Sequence, residues 1–160
     1  MAKAKYYSKS EIIYKGRFNK AVLIDDSLMY LIAGALTKAP AEVVDQTLKE
    51  CVFYRFSMEK VAGMYMPKIL IQGKDLILLS EGLLLDESFV PCEKVLHEVA
   101  HHILSHKTFT DLMLQGDGSP LMYERALKIR DENEKEADKL RDKWLDDYAE
   151  YQKQQKRGEL

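Results

Sequence analysis

Val95-Leu-His-Glu-Val-Ala-His-His-Ile-Leu104 is the stretch on which the reading of this chain turns. Taken as a helix, it sets Leu96, Val99, Ala100, Ile103 and Leu104 on one apolar arc, with Cys92 a turn earlier. His97 and His101 stand four residues apart at the edge of that arc. They lie one above the other, so both imidazoles can reach a single metal ion. Glu98 sits about 100° further round, beside the place a metal-bound water would take. His97-Glu98-x-x-His101 is thus HExxH, in which two histidines bind zinc and the glutamate takes a proton from the water. Glu98, His102 and Ser105 are expected outside the buried arc, with the ligands looking into a cleft.

A catalytic zinc ion of this kind takes three protein ligands and leaves a fourth position to water. All four histidines lie between residues 97 and 106. On a continuing helix His102 points about 100° from His101, and His106 about 180° from His97, so neither completes the site. Lys107, with no glycine following in register, removes the longer HExxHxxGxxH arrangement. A downstream carboxylate remains. Glu134-Lys-Glu-Ala-Asp138 carries two acids four apart that can both face the motif helix. Glu134 is the best candidate for the third ligand; it can bind the metal while Asp138 accepts a hydrogen bond from a ligand imidazole and fixes its tautomer. Ala137, on the same face, is small enough for close helix approach. Glu136 is the main rival, with Glu132 behind it. Moving two residues along swings a carboxylate about 160° away, so the stripe Ala137, Leu140, Trp144 favours Glu134.

Outward from this core, Pro91 suits the first turn of the motif helix and Ser119-Pro120 opens another. From Leu121 through Tyr151 the chain is charged and free of Gly and Pro. It reads as one helix, or two broken near Asp131-Glu-Asn133, with Ala137, Leu140, Trp144, Leu145 and Tyr148 packed on the core. The segment between, Thr108 to Gly118, reads as a loop, and the polar tail 152–160 as a fraying end. Upstream, residues 1–20 form an arm or a marginal helix. An apolar segment from Ala21 to Ala35 contains a short helix capped by Asp26 or Ser27, and a further helix follows Pro40.

Val52–Phe56, Val61–Met66 (ended by Pro67) and Leu76–Leu79 are dense in strand formers. Ser57–Lys60 connects the first two, Lys68–Gln72 continues apolar, Gly73–Asp75 turns, and a loop covers Gly82 to Ser88. No helix fits between the strands, so a small, largely antiparallel sheet is expected, with Leu76–Leu79 at its edge. The fold class is α+β. One domain spans residues 1–160, since this length suits one core and is too short for two.

Composition limits the partners. The chain is 46% hydrophobic and 31% charged, with a net charge of -2, which gives no electrostatic reason to expect nucleic acid or an anionic membrane. Cys51 and Cys92 form no CxxC pair, so they read as buried, reduced thiols rather than zinc ligands or a disulfide framework. Met1–Tyr7 lacks the apolar stretch of a signal peptide, and no window approaches the roughly 18 apolar residues of a membrane span. A soluble, cytoplasmic protein is the expectation.

Strand Leu76–Leu79, the helix His97-Glu-Val-Ala-His-His-Ile-Leu-Ser-His106 and the segment Glu134-Lys-Glu-Ala-Asp138 together resemble the ImmA/IrrE family of compact zinc metallopeptidases. The resemblance covers roughly residues 40 to 145. It implies a zincin-like fold, with a small antiparallel sheet packed on the active-site helix and a long C-terminal helix giving the third ligand. It also implies one Zn2+ held by His97, His101 and Glu134, Glu98 as general base, and Asp138 behind the ligands. The activity implied is cleavage of a protein or peptide, typically a transcriptional repressor. The chain departs from the family in having Ala100 where Gly is frequent, Leu140-Arg141 where Phe-Ala is common, and no helix-turn-helix segment. An oxyanion would need a further donor, for which His102, Tyr123, Tyr148 and Tyr151 are the candidates. Two other readings stand beside the peptidase. One is a zinc-binding regulatory or interaction module of the same fold with little turnover. The other is a zinc-free structural domain with polar groups at a core edge.

Overall fold

The computed structural model describes residues 5–16, 26–56, 61–71, 73–80 and 90–158. In chain order these form α1 (Lys9–Gly16), α2 (Asp26–Leu36), α3 (Ala41–Glu50), β1 (Cys51–Arg55), β2 (Gly63–Ile71), β3 (Lys74–Leu79), α4 (Pro91–Ile103), α5 (Phe109–Leu114) and α6 (Pro120–Lys156). The protein is α+β, with helices dominating a small sheet. The connection at Ser57–Lys60, the loop from Gly82 to Ser88 and the apolar residues 21–25 lie outside the described residues.

Among the described residues the sheet has three strands in the order β1-β3-β2. β2 and β3 pair antiparallel, with Gly63 opposite Leu79 and Tyr65 opposite Ile77. β1 and β3 pair parallel, with Val52 opposite Leu76 and Phe53 opposite Ile77. The sheet is therefore mixed, which corrects the expectation of a largely antiparallel one. A parallel pair needs a long connection, ordinarily a helix; here β2 itself makes the connection, running along the far side before the turn at Gly73 brings β3 into the middle. That turn needs a left-handed residue, and Gly73 supplies it at φ 74°,.

The same topology corrects the position of Leu76–Leu79. It is the central strand, with Asp75, Leu76, Ile77 and Leu79 all buried, and among the described residues β1 and β2 flank it. Pro67 does not end β2, which continues to Ile71 across an irregularity in register after Met66. A proline has no N–H to give to a ladder, and an edge strand tolerates that loss.

Helix α4 begins at Pro91 in its first turn. It packs against α2, α3, α6 and two strands, and every residue from Val95 to His102 is buried. This differs from a helix with one apolar face: Glu98 and His102, expected outside the arc, are inside. Leu104, assigned to the arc, lies past the helix end and is 38% exposed.

Helix α6 is one unbroken helix of 37 residues. Ser119 caps it, its Oγ accepting from the Met122 N–H at 3.2 Å,. Ala126, Ala137 and Trp144 are buried along one side, and Leu140 and Leu145 pack partly buried against the core. The tail expected to fray from Gln152 remains helical to Lys156. Within the stretch read as a loop, α5 is a helical turn and a half closed by a capping box. Thr108 Oγ1 accepts from the Asp111 N–H at 3.1 Å, and Asp111 Oδ2 accepts from the Thr108 N–H at 3.2 Å,. No described helix is long and apolar enough to cross a membrane.

Ala137 is fully buried where α6 meets α4. Enlarging it pushes the two helices apart: Ala137→Leu is expected to cost about 1–3 kcal/mol, read as a lower urea midpoint. An unchanged midpoint would show that this seam has room to spare.

Candidate metal centre

His97 and His101 leave α4 on the side facing α6, and Glu134 leaves α6 toward them. His97 Nε2 lies 3.0 Å from Glu134 Oε2 and 3.0 Å from His101 Nε2, and His101 Nε2 lies 3.2 Å from Glu134 Oε1. Among the described residues these three form the one group whose ligand atoms converge, all within 4.8 Å of one another. The cluster can hold a metal ion. Zinc bonds of about 2.0–2.2 Å at tetrahedral angles place donors roughly 3.3–3.5 Å apart, so the observed separations are slightly tight for zinc and close to the need.

The outer nitrogens of both rings are engaged, which leaves the inner ones for an ion. His97 Nδ1 stands 2.9 Å from Asp138 Oδ1, and the same carboxylate oxygen accepts from Arg141 at 2.8 Å. His101 Nδ1 stands 2.9 Å from His106 Nδ1, and His106 Nε2 is 3.0 Å from Glu136 Oε2. Glu136, the rival third ligand, is thus placed on His106 and away from the cluster, while Glu132 lies in an exposed part of α6.

Charges follow the geometry. Hydrogen bonds from His101 and then His97 hold the Glu134 carboxyl well below the usual carboxylate range, against the effect of burial. Burial pushes His97 down, but the bond to Glu134 and the nearby Glu98 charge outweigh it and leave the imidazole above its ordinary value. Burial pushes His106 below its ordinary value; the Glu136 bond opposes this and His101 adds to it.

Glu98 lies against the start of β2. It is only 3% exposed, and its charge is balanced by Lys94 one turn earlier, with Nζ 3.0 Å from Oε1. The carboxylate has room because residue 63 is glycine. A Cβ there would stand 3.0 Å from Glu98 Cγ and 3.2 Å from Oε1, with Leu79 Cδ2 at 3.3 Å. Glu98, His97, His101 and Glu134 open onto one cleft of about 340 Å³, walled by the start of β2 on one side and by Phe109 and Asn133 on the other.

The remaining histidine of α4 faces a different set of partners. His102 Nδ1 is hydrogen bonded to Asp75 Oδ2, which also accepts from the Tyr65 hydroxyl at 2.8 Å. His102 Nε2 lies 3.0 Å from Glu50 Oε2 but without hydrogen-bond alignment. The Tyr65 ring in turn lies parallel to that of His101, with centroids 6.2 Å apart. Buried in this network, His102 is removed as an oxyanion donor. Tyr148 and Tyr151 pack on Tyr6, and Tyr123 packs edge-on against Phe109; none of the three lines the cleft. Cys51 is buried and Cys92 half-buried, both as free thiols that burial pushes up.

Sequence reasoning missed Lys94, Gly63, Tyr65, His106 and Arg141. Two of these carried a signal. Lys94 and Glu98 are an i,i+4 pair of opposite charge, and a lone glycine in a strand marks a close approach. The placement of His106 had none, because it depends on how α4 ends.

No protein-family model, curated protein or solved structure matches the chain. The metal centre stands on its own geometry.

Metal analysis of the purified protein tests that geometry directly. After zinc supplementation the wild type is expected to carry one ion per chain. His97→Ala and Glu134→Ala lose it and Glu132→Ala keeps it. Retention by Glu134→Ala would remove Glu134 from the ligand set.

Proposed function

We propose that the protein is a zinc-dependent endopeptidase in which Glu98 is the general base. The observation that carries this reading is the position of Glu98: a buried carboxylate beside the His97, His101, Glu134 cluster, opening onto the same cleft. The donor set supports zinc, since two imidazoles and one carboxylate with a free position are a ligand set of zinc hydrolases. When bound, zinc supplies a polarised carbonyl and a water whose pKa is brought toward 7.

The chain's own residues do the rest. Asp138 and His106 hold the two ligand rings by their Nδ1 atoms. Glu98 accepts the proton of the attacking water on its carboxylate and returns it to the departing amine. Lys94, 3.0 Å from Glu98 Oε1, holds that carboxylate in place between turns. Among the described residues β2 is an outer strand of the sheet, and its first residues, Gly63 to Tyr65, border the cleft. A substrate in extended form can add to such an edge by main-chain hydrogen bonds. The resemblance to ImmA/IrrE peptidases supports a folded regulatory protein, such as a transcriptional repressor, as the class of substrate, and a cytoplasmic setting.

The second reading is a zinc-holding regulatory module with little turnover. The Lys94–Glu98 ion pair favours it, because a base occupied by an ammonium group is a poorer acceptor. One zinc per chain without cleavage of any protein offered would select this reading.

Glu98→Gln is expected to keep its zinc and lose cleavage by about 10²–10⁴-fold, measured on a peptide or protein that the wild type cuts. Full activity in this variant would refute the general-base role. Gly63→Ala moves Glu98 without touching a ligand, so zinc content should stay at one while cleavage falls, by up to about 100-fold. Unchanged turnover would mean that Glu98 tolerates the shift.

A further inference from the structure

Helix α4 ends in an unusual way. Its last residues are satisfied by a six-to-one bond from the His106 N–H to the His101 carbonyl at 3.1 Å and a five-to-two bond from Ser105 to His102 at 3.0 Å. This is the Schellman ending, which needs a left-handed residue and ordinarily takes glycine there. Ser105 occupies it at φ 53°, a conformation that is strained for a residue bearing a side chain. The result is a chain folded back on itself, so that His106 is buried and returned to the helix it has just left.

We infer that His106, backed by Glu136, is a positioning residue for the metal ligand His101, setting the tautomer and ring angle that present Nε2 to the ion. The two Nδ1 atoms are 2.9 Å apart, and a contact of that length between imidazoles needs one proton between two nitrogens. An imidazole that gives Nε2 to a metal keeps its proton on Nδ1. His101 is therefore the donor and His106 Nδ1 the acceptor. The His106 proton then lies on Nε2, where Glu136 Oε2 waits at 3.0 Å. Each atom in the series has one role, and no other assignment satisfies all three contacts with a neutral ligand. The Tyr65 ring lies parallel to the His101 ring, with centroids 6.2 Å apart. The other ligand, His97, is held by a carboxylate through Asp138; His101 is held by an imidazole. The two ligands are thus fixed by chemically different partners.

This inference rests on the metal-binding part of the proposed function and not on peptidase activity. Zn2+ affinity is measured by chelator competition for the full chain, for His106→Ala, and for His106→Asn, whose amide oxygen can stand near the Nδ1 position. The visible spectrum of the Co2+-loaded forms is recorded beside it. His106→Ala is expected to bind Zn2+ about 10–100-fold more weakly and to change the Co2+ spectrum. His106→Asn should recover most of the affinity, and Glu136→Gln, which keeps an acceptor, should lose less than Glu136→Ala. Equal affinity in wild type and His106→Ala overturns the inference. So does equal loss in the Ala and Asn variants, which would mark His106 as a packing residue only. Absence of Zn2+ binding by the wild type overturns the metal centre itself, a different failure that is read in the same titration.

Discussion

Two consecutive turns of one helix bring His97, Glu98, His101 and His102 into the interior,, and everything around α4 serves to make that tolerable. A polar group removed from water costs about 1–3 kcal/mol when left without a partner, and a charge costs more. The partners come from different directions: α6 for His97 and His101, Lys94 for Glu98, β3 for His102. The apolar residues of the same helix, Val95, Leu96, Val99 and Ala100, are fully buried between them. The helix is held by its apolar atoms and oriented by its polar ones.

The sheet matters less for its size than for what it presents. With β3 in the centre, Asp75 comes from the buried strand to anchor Tyr65 and His102, and β2, the outer strand among the described residues, runs past Glu98. A glycine at the crossing lets strand and carboxylate approach to a distance no other residue would allow without a shift. Sheet order and cleft chemistry are in this way one arrangement.

Much of the candidate site was legible in sequence because its signals are local. The i,i+4 spacing of His97 and His101, the scarcity of histidine elsewhere, and the i,i+4 pair Glu134 and Asp138 are all properties of single helices. Helix starts at Pro91 and Ser119 were legible for the same reason. The Thr108-Phe-Thr-Asp111 capping box was equally local and was passed over because the glycines at 116 and 118 argued for a loop. What sequence did not disclose is tertiary. Strand order depends on which edge β3 inserts beside, and spacing limits that without deciding it. His106 was assigned to the far side of a continuing helix; the helix stops at Ile103, and a left-handed serine turns the chain back. Glu136 was weighed as a ligand and proves to be a partner of His106, a role that exists only once that turn has formed.

Glu134, Glu136 and Asp138 all come from one uninterrupted helix. On a rod with a rise of about 1.5 Å per residue, their relative positions are fixed before they meet α4. None can be adjusted alone. A small rotation or slide of α6 would withdraw Glu134 from the cluster, Asp138 from His97 and Glu136 from His106 in the same movement. The centre is therefore assembled by docking one rigid body, with Ala137 as the contact that sets its depth, and it is either complete or lost as a whole.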